Sequence, residues 1–336
     1  MANAIRKFAA AAALSGAVLA YAAPSIAADM PGEGVTIKMG QATWDTGWFH
    51  SEIYSQLFQK LGYSVDGPTT LDVPAFYQSV AFGDLDLWVN GWFPLHDTYK
   101  PAFEDTASIV GAVAEKGALQ GYLVDKAAVD EFGIKSLDDF KRPEVKEAFD
   151  RNGDGKADLV ACPPGWGCEV KISEHMEAYD LGDDINTIKA GYSASMADAV
   201  ASYEAGEHIL FYTWTPNWTV NQLKPGEDVM WITVPERDGV ETAPAVKGLE
   251  TCVSDPCSMG FAAADILPVA NDAFIEKNPA IKTLLEEVRI PVQDIYAQNA
   301  AMNEGDDDVK AQAAAWIEKN QDEVNKWLDD ARAAAK

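Results

Sequence analysis

Basic residues are scarce in this chain: 26 Lys and Arg stand against 53 Asp and Glu over 336 residues, and the formal charge at pH 7 is −27. A chain of that sign is repelled by DNA, RNA and anionic lipid, so no nucleic acid is expected among its partners. Beyond residue 28 no run is apolar for about 18 residues, the length needed to span a bilayer. Histidine occurs only as His50, His96, His175 and His208, and none has ligand-like spacing with a cysteine. Catalytic signatures are missing as well: Gly191-Tyr192-Ser193-Ala194-Ser195 lacks the final glycine of a nucleophile elbow, and there is no Walker-type phosphate loop. These absences argue against an enzyme and against a cofactor.

What is present starts with a leader. Met1 to Ala28 carry Arg6 and Lys7, then an Ala/Leu/Val run, then Ser25-Ile26-Ala27, the pattern of a secretory signal cleaved after Ala27. Export without membrane insertion is the expectation; an uncleaved inner-membrane anchor is the alternative. Losing Arg6 and Lys7 makes the mature chain more acidic still. The cysteines number four, in two close pairs, and in an exported chain they are expected to form disulfides, Cys162–Cys168 and Cys252–Cys257. Spacing does not fix the connectivity, and a Cys–His nucleophile is the competing reading.

β-rich runs alternate with amphipathic helical ones: Val35–Met39 then Trp44–Lys60, Tyr63–Val65 then Val73–Ala81, Leu85–Asn90 then a helix near His96–Phe103. A βα repeat implies a largely parallel sheet covered by helices. A second series opens at Gln120–Val124 and runs through Leu159–Ala161, Thr187–Tyr192, His208–Tyr212 and Val229–Val234. Met259–Val269 and a helix over Asn271–Val288 then return the chain to the first unit, which closes with two further helices, the last over about Asp308–Ala334. At roughly 100–200 residues per domain this gives two α/β lobes, 28–120 with 261–336 and 121–260, with a ligand cleft between them at the strand ends.

Three of the ten tryptophans sit among prolines and glycines at those strand ends: Gly91-Trp92-Phe93-Pro94-Leu95-His96, Cys162-Pro163-Pro164-Gly165-Trp166-Gly167-Cys168 and Thr213-Trp214-Thr215-Pro216. The flanking residues suggest indoles displayed at loops. Indole faces attract a cation that has no N–H to donate, at about 0.5–2 kcal/mol each. Three such contacts fall short of the roughly 8 kcal/mol that micromolar binding requires, so the rest of the ligand needs its own partner. Gly167 and Cys168 open a helical pattern, whose free N–H groups favour an anion, and His96 is placed to add a hydrogen bond. A cation cage beside an anion site describes a betaine-type zwitterion.

Those three segments, together with Ala28-Asp29-Met30-Pro31-Gly32, resemble the periplasmic glycine betaine/proline betaine-binding proteins of ABC importers over nearly the whole mature chain. The resemblance implies a two-lobed type II periplasmic binding fold and a box of three tryptophans at Trp92, Trp166 and Trp214. It also implies a carboxylate site at His96 and the backbone amides of Gly167 and Cys168, periplasmic localisation, and a monomer that delivers solute to a membrane permease for osmoprotection. Gly91-Trp92-Phe93-Pro94 stands where the family is expected to have Asn-Trp-Thr-Pro, and the Cys252–Cys257 pair is an addition. Choline, carnitine and dimethylsulfoniopropionate remain alternative ligands. A carbohydrate-binding protein or a secreted hydrolase are rivals of other classes.

The remaining features have plainer readings. Trp44, Trp48, Trp88, Trp218 and Trp231 are expected to pack in cores, with Trp48 able to approach the cleft; Tyr212 borders the pocket. The oxygens of Asp150, Asn152, Asp154, Lys156 and Asp158 match the first part of a calcium loop, yet Ala161 occupies the twelfth position where a bidentate carboxylate belongs. The loop is either a weak calcium site or an Asp/Asn/Gly surface turn.

Overall fold

The computed structural model describes residues 30–336 apart from 239, 241 and 242. The leader and its cleavage point after Ala27 therefore lie outside the described residues. Eleven strands are described: β1 (Thr36–Ala42), β2 (Ser64–Leu71), β3 (Leu87–Phe93), β4 (Ala107–Ile109), β5 (Ala114–Ala118), β6 (Gln120–Asp125), β7 (Ala157–Val160), β8 (Ile185–Ile188), β9 (Leu210–Trp214), β10 (Val229–Ile232) and β11 (Ala264–Asn271). They form two sheets flanked by helices. One has the order β2-β1-β3-β11-β4 with β5 also on β11; the other has the order β10-β6-β9-β7-β8.

Parallel pairing, expected from the βα repeat, holds over β2-β1-β3 and over β8-β7-β9. The other pairings are antiparallel, and the two strands that enter from the opposite sheet account for them. β6, the first strand of the second sheet, runs antiparallel to β9 and β10, and β11, the first strand back, runs antiparallel to β3, β4 and β5. A strand arriving directly from the neighbouring sheet has made no βα crossover and so enters from the other end. Its beginning then lies beside the carboxyl ends of its neighbours: Gln120 pairs Trp214 and Asp265 pairs Phe93. Both crossings thus pass the edge where site residues are expected.

Each sheet has its own core. The helix Trp48–Lys60 buries Phe49, Ile53 and Leu57 at helical spacing, with Tyr54 and Phe58 beside them. Phe76 stacks on Trp88 at 4.1 Å between ring centroids on the face of the first sheet. Phe140, Phe149, Leu159 and Phe211 do the same work for the second sheet and are at most 1% exposed. No helix among the described residues is long and apolar enough to cross a membrane.

Two long helices read from periodicity are each two shorter ones. The stretch 271–288 is Asp272–Lys277 and Pro279–Glu287, capped by the Asn271 side chain and interrupted at Asn278, because a residue before proline is pushed out of the helical region. The stretch 308–334 is Val309–Lys319 and Gln321–Ala334, broken where the Asn320 side chain bonds the Trp316 carbonyl at 2.8 Å. Trp316 and Trp327 still stack across the break, 6.4 Å apart.

Candidate functional site

A narrow cavity of about 30 Å³ lies between the two sheets. Its wall is made by Trp44, Trp92, Leu95 and His96 from the first sheet's side and by Gln120, Trp166, Gly167, Cys168, Tyr212 and Trp214 from the second's. All six residues read from the sequence as ligand contacts are on it. Three indoles make successive edge contacts, Trp44 to Trp166 at 5.3 Å and Trp166 to Trp214 at 5.5 Å. The rings are not displayed to solvent as their loops suggested: Trp92, Trp166 and Trp214 are 6%, 7% and 4% exposed. Trp92 and Trp214 belong to the last residues of β3 and β9 rather than to the loops after them, so sheet pairing holds their backbones in place.

On the first side the polar tips of the rings are held. Asn90 Oδ1 accepts the indole N–H of Trp92 at 2.7 Å and of Trp44 at 3.3 Å, while its Nδ2 lies 2.6 Å from His50 Nε2. His96 is 1% exposed, and burial pushes its imidazole down to about 3, so it is neutral near pH 7. Its Nδ1 accepts the Trp92 backbone N–H at 3.2 Å and lies 2.9 Å from the Tyr77 hydroxyl. A backbone N–H can only donate, so Nδ1 holds the lone pair and the ring proton sits on Nε2. Nε2 faces Gly167: a Cβ placed there would meet His96 Cδ2 at 2.9 Å and Nε2 at 3.1 Å. Glycine at 167 is what lets the helix start approach the imidazole.

On the second side the helix Gly167–Ala178 begins at the cavity, and its first N–H groups, those of Gly167 and Cys168, have no partner in the helical ladder. The Cys162–Cys168 disulfide closes the loop that delivers Trp166, and Cys252–Cys257 joins the other pair. Gly165 has φ +90°, and a Cβ there would lie 2.8 Å from Asp72 Cγ, so glycine serves both the turn and the close approach. The two sides touch around the cavity: Trp166 Nε1 donates to Thr43 Oγ1 at 2.7 Å, the Val73 N–H to the Gly165 carbonyl at 3.2 Å, and Ser193 Oγ to Asp45 Oδ2 at 3.3 Å.

The model for the substrate-binding domain of ABC-type glycine betaine transport systems matches residues 35–319. The chain belongs to this family. The family's members are substrate-binding domains, so the hydrolase reading is set aside. Among curated relatives, the glycine betaine/proline betaine-binding periplasmic protein of Escherichia coli K12 is 39% identical over 316 residues, 93% of this chain and 94% of its own. The glycine betaine-binding periplasmic protein OusX of Dickeya dadantii is 40% identical over 313 residues, 92% and 93% of the two chains. Lactococcal OpuAC, solved in a closed conformation with glycine betaine, shares the fold with a TM-score of 0.68 and 19% identity, covering 88% of this chain and 99% of that one.

For this betaine-family domain the sequence reading missed Trp44, Leu95 and Gln120. Trp44 reads as a core residue, yet it follows β1 at a strand end like the other site tryptophans, and that position is the signal for it. Gln120 carries no local motif. Trp48 lines a neighbouring hollow, and Trp88 and Trp231 are core residues at 0% and 2% exposure. His50, His175 and His208 are away from the cavity, bonded within the fold to Asn90, Tyr122 and Asp125. In the Asp150–Asp158 loop the oxygens that would face a cation accept N–H groups of the loop itself. Asp150 takes those of Gly153, Asp154 and Gly155 at 2.7–3.0 Å, and Asp158 takes those of Arg151 and Asn152 at 3.1 Å. Among the described residues no group of His, Cys, Asp and Glu is arranged to hold a metal.

Proposed function

We propose that this cavity captures a carboxylate-bearing quaternary ammonium solute of the glycine betaine/proline betaine type. Trp92, Trp166 and Trp214 receive the methylated cation, and His96 Nε2–H with the Gly167 and Cys168 amides receives the carboxylate. The observation that carries the reading is the convergence of all six on one hollow between the two sheets. A cation without N–H gains little from a carboxylate partner and more from indole faces. The opposite end of the ligand meets donors that are already fixed, by the helix start and by a neutral imidazole of one tautomer.

The chain then acts as the periplasmic receptor of an ABC importer: exported by its leader and cleaved after Ala27, it passes the solute as a monomer to a membrane permease for osmoprotection. Its curated relatives are named as periplasmic binding proteins for these same solutes. The lobes are 28–120 with 261–336 and 121–260. Closure of the two around the ligand is the signal a permease reads, since a ligand that binds only the closed form shifts the population toward it. The Asp150–Asp158 loop serves as a self-bonded turn; a calcium titration that left the melting temperature unchanged would agree with this, and a rise would mark a structural calcium site.

The test is calorimetry of wild type and Trp166→Ala against glycine betaine, proline betaine, choline, carnitine and dimethylsulfoniopropionate. The variant is expected to lose at least tenfold, about 1.4 kcal/mol, for every ligand that binds. Choline, which keeps the cation and lacks the carboxylate, is expected to bind wild type far more weakly than glycine betaine. Unchanged binding in the variant would refute the cage.

A further inference from the structure

We infer that Gln120 is a specificity-determining contact, its side-chain amide supplying a fourth hydrogen-bond donor to the anionic end of the ligand and making that end selective for carboxylates over alcohols. The inference rests on the cavity being the solute site proposed above. Gln120 opens β6, is 1% exposed and lines the cavity, and its Nε2 has no partner among the described residues. A buried amide donor left unpaired is costly, and it is relieved when an acceptor enters.

The orientation of the amide follows from its neighbour. Tyr212 Oη lies 2.7 Å from Gln120 Oε1. Burial holds the Tyr212 hydroxyl well above its usual value of 10, so it keeps its proton, and no other acceptor for that proton exists among the described residues. The hydroxyl must donate to Oε1, which turns both amide N–H bonds away from Tyr212. A flipped amide could donate to the hydroxyl oxygen but would leave the Tyr212 proton without an acceptor among the described residues.

Position assigns those N–H bonds to one end of the cavity. A second, wider hollow adjoins the first and is lined by Thr98, Lys171 and Phe261 among others; Leu95, Gln120 and Gly167 border both, and no tryptophan borders the second. Gln120 therefore shares with Gly167 the border between the two hollows. The pairing of Gln120 with Trp214 across β6 and β9 fixes its backbone there. His96 Nε2–H, the two helix-start amides and the Gln120 amide make four donors, and a carboxylate offers about four lone-pair sites. Gln120 Oε1 is turned toward Tyr212, which takes one of its lone pairs, so the set meets the ligand chiefly with donors. An alcohol at this end offers fewer acceptor sites than a carboxylate and leaves more of those donors unpaired.

Two variants test this by the ratio of glycine betaine to choline affinity, measured by tryptophan fluorescence on proteins whose folding is checked by circular dichroism and melting. Gln120→Glu is isosteric, keeps an oxygen for Tyr212 and replaces the donor by an acceptor. Glycine betaine should weaken at least thirtyfold and choline less than threefold. Tyr212→Phe frees Oε1 and lets the amide turn, so the ratio should fall at least threefold, chiefly through tighter choline binding. A purely structural role would weaken both ligands alike. Equal losses, or an unchanged ratio in both variants, with wild type binding glycine betaine normally, would overturn the role of Gln120 alone. Failure of wild type to bind glycine betaine would overturn the reading of the site and this inference with it.

Discussion

The two walls of the cavity are finished to different degrees. The wall from the first sheet holds its rings by bonds within itself: Asn90 accepts from Trp44 and Trp92, and His96 Nδ1 is locked by the Trp92 amide and Tyr77, leaving Nε2–H toward the cavity. The wall from the second sheet is open. Trp214 Nε1 and Gln120 Nε2 have no partner among the described residues, Gly167 and Cys168 present free helix-start amides, and Trp166 is held by Thr43 of the opposite side. The difference separates a wall whose polar tips bond one another from a wall that leaves its donors free for whatever enters.

Asn90→Ala should break the comparison most severely. It leaves two indole N–H groups and His50 without partners in a dry interior, and unfolding is expected at about 3 kcal/mol lower stability. Trp214→Phe, which removes an indole N–H that has no partner among the described residues, should cost about 1 kcal/mol or less; both are read from denaturant melts. If the two variants are equally destabilised, the walls do not differ as described.

Removing the Cys162–Cys168 link by a double Ser substitution should lower stability by about 2 kcal/mol for so short a loop. It should also weaken glycine betaine about tenfold, because Trp166 and the helix-start amides lose their fixed placement. Calorimetry on the oxidised wild type and the variant separates the two effects. Thr43→Val deletes only the bond from Trp166 across the cavity, and a loss of about fivefold in affinity, near 1 kcal/mol, is expected without change in the unliganded melting temperature.

The smallest effect concerns pH. Burial pushes His50 and His96 down to about 3 and His175 to about 4, from 6.5. The unfolded chain then binds more protons than the folded one, so this contribution to stability is whole above about pH 6.5 and drains away as pH falls toward 4. Asp45 and Asp86, raised by burial, oppose it in the acid range. His96 stays neutral throughout pH 5–8, so the glycine betaine Kd should vary less than threefold there, even as the melting temperature drops. A His96 titration near 6.5 seen by NMR would contradict this.

Much of the site was legible in the sequence because Trp92, Trp166 and Trp214 carry proline and glycine neighbours that mark strand ends, and because Gly167 and Cys168 open a helix. Asn90 and Gln120 were not legible. Their roles depend on which strands lie side by side, the Asn90 tip reaching Trp44 from β1 and Gln120 facing Trp214 across a pairing that only the antiparallel entry of β6 creates. The fold shows the same limit. The βα alternation gave the parallel portions of both sheets, while the crossing strands, which follow no helix, carry no period that distinguishes their direction. Pro279 announced one helix break; at Asn320 the break is a side chain competing for a backbone carbonyl, which composition alone does not reveal.

Asn90 answers for two indoles and an imidazole at once, so a change at Asn90 releases all three rings together. A shift from one osmolyte to another finds easier ground on the other wall, at Trp214, whose indole N–H has no partner among the described residues, and at the coupled pair Gln120 and Tyr212.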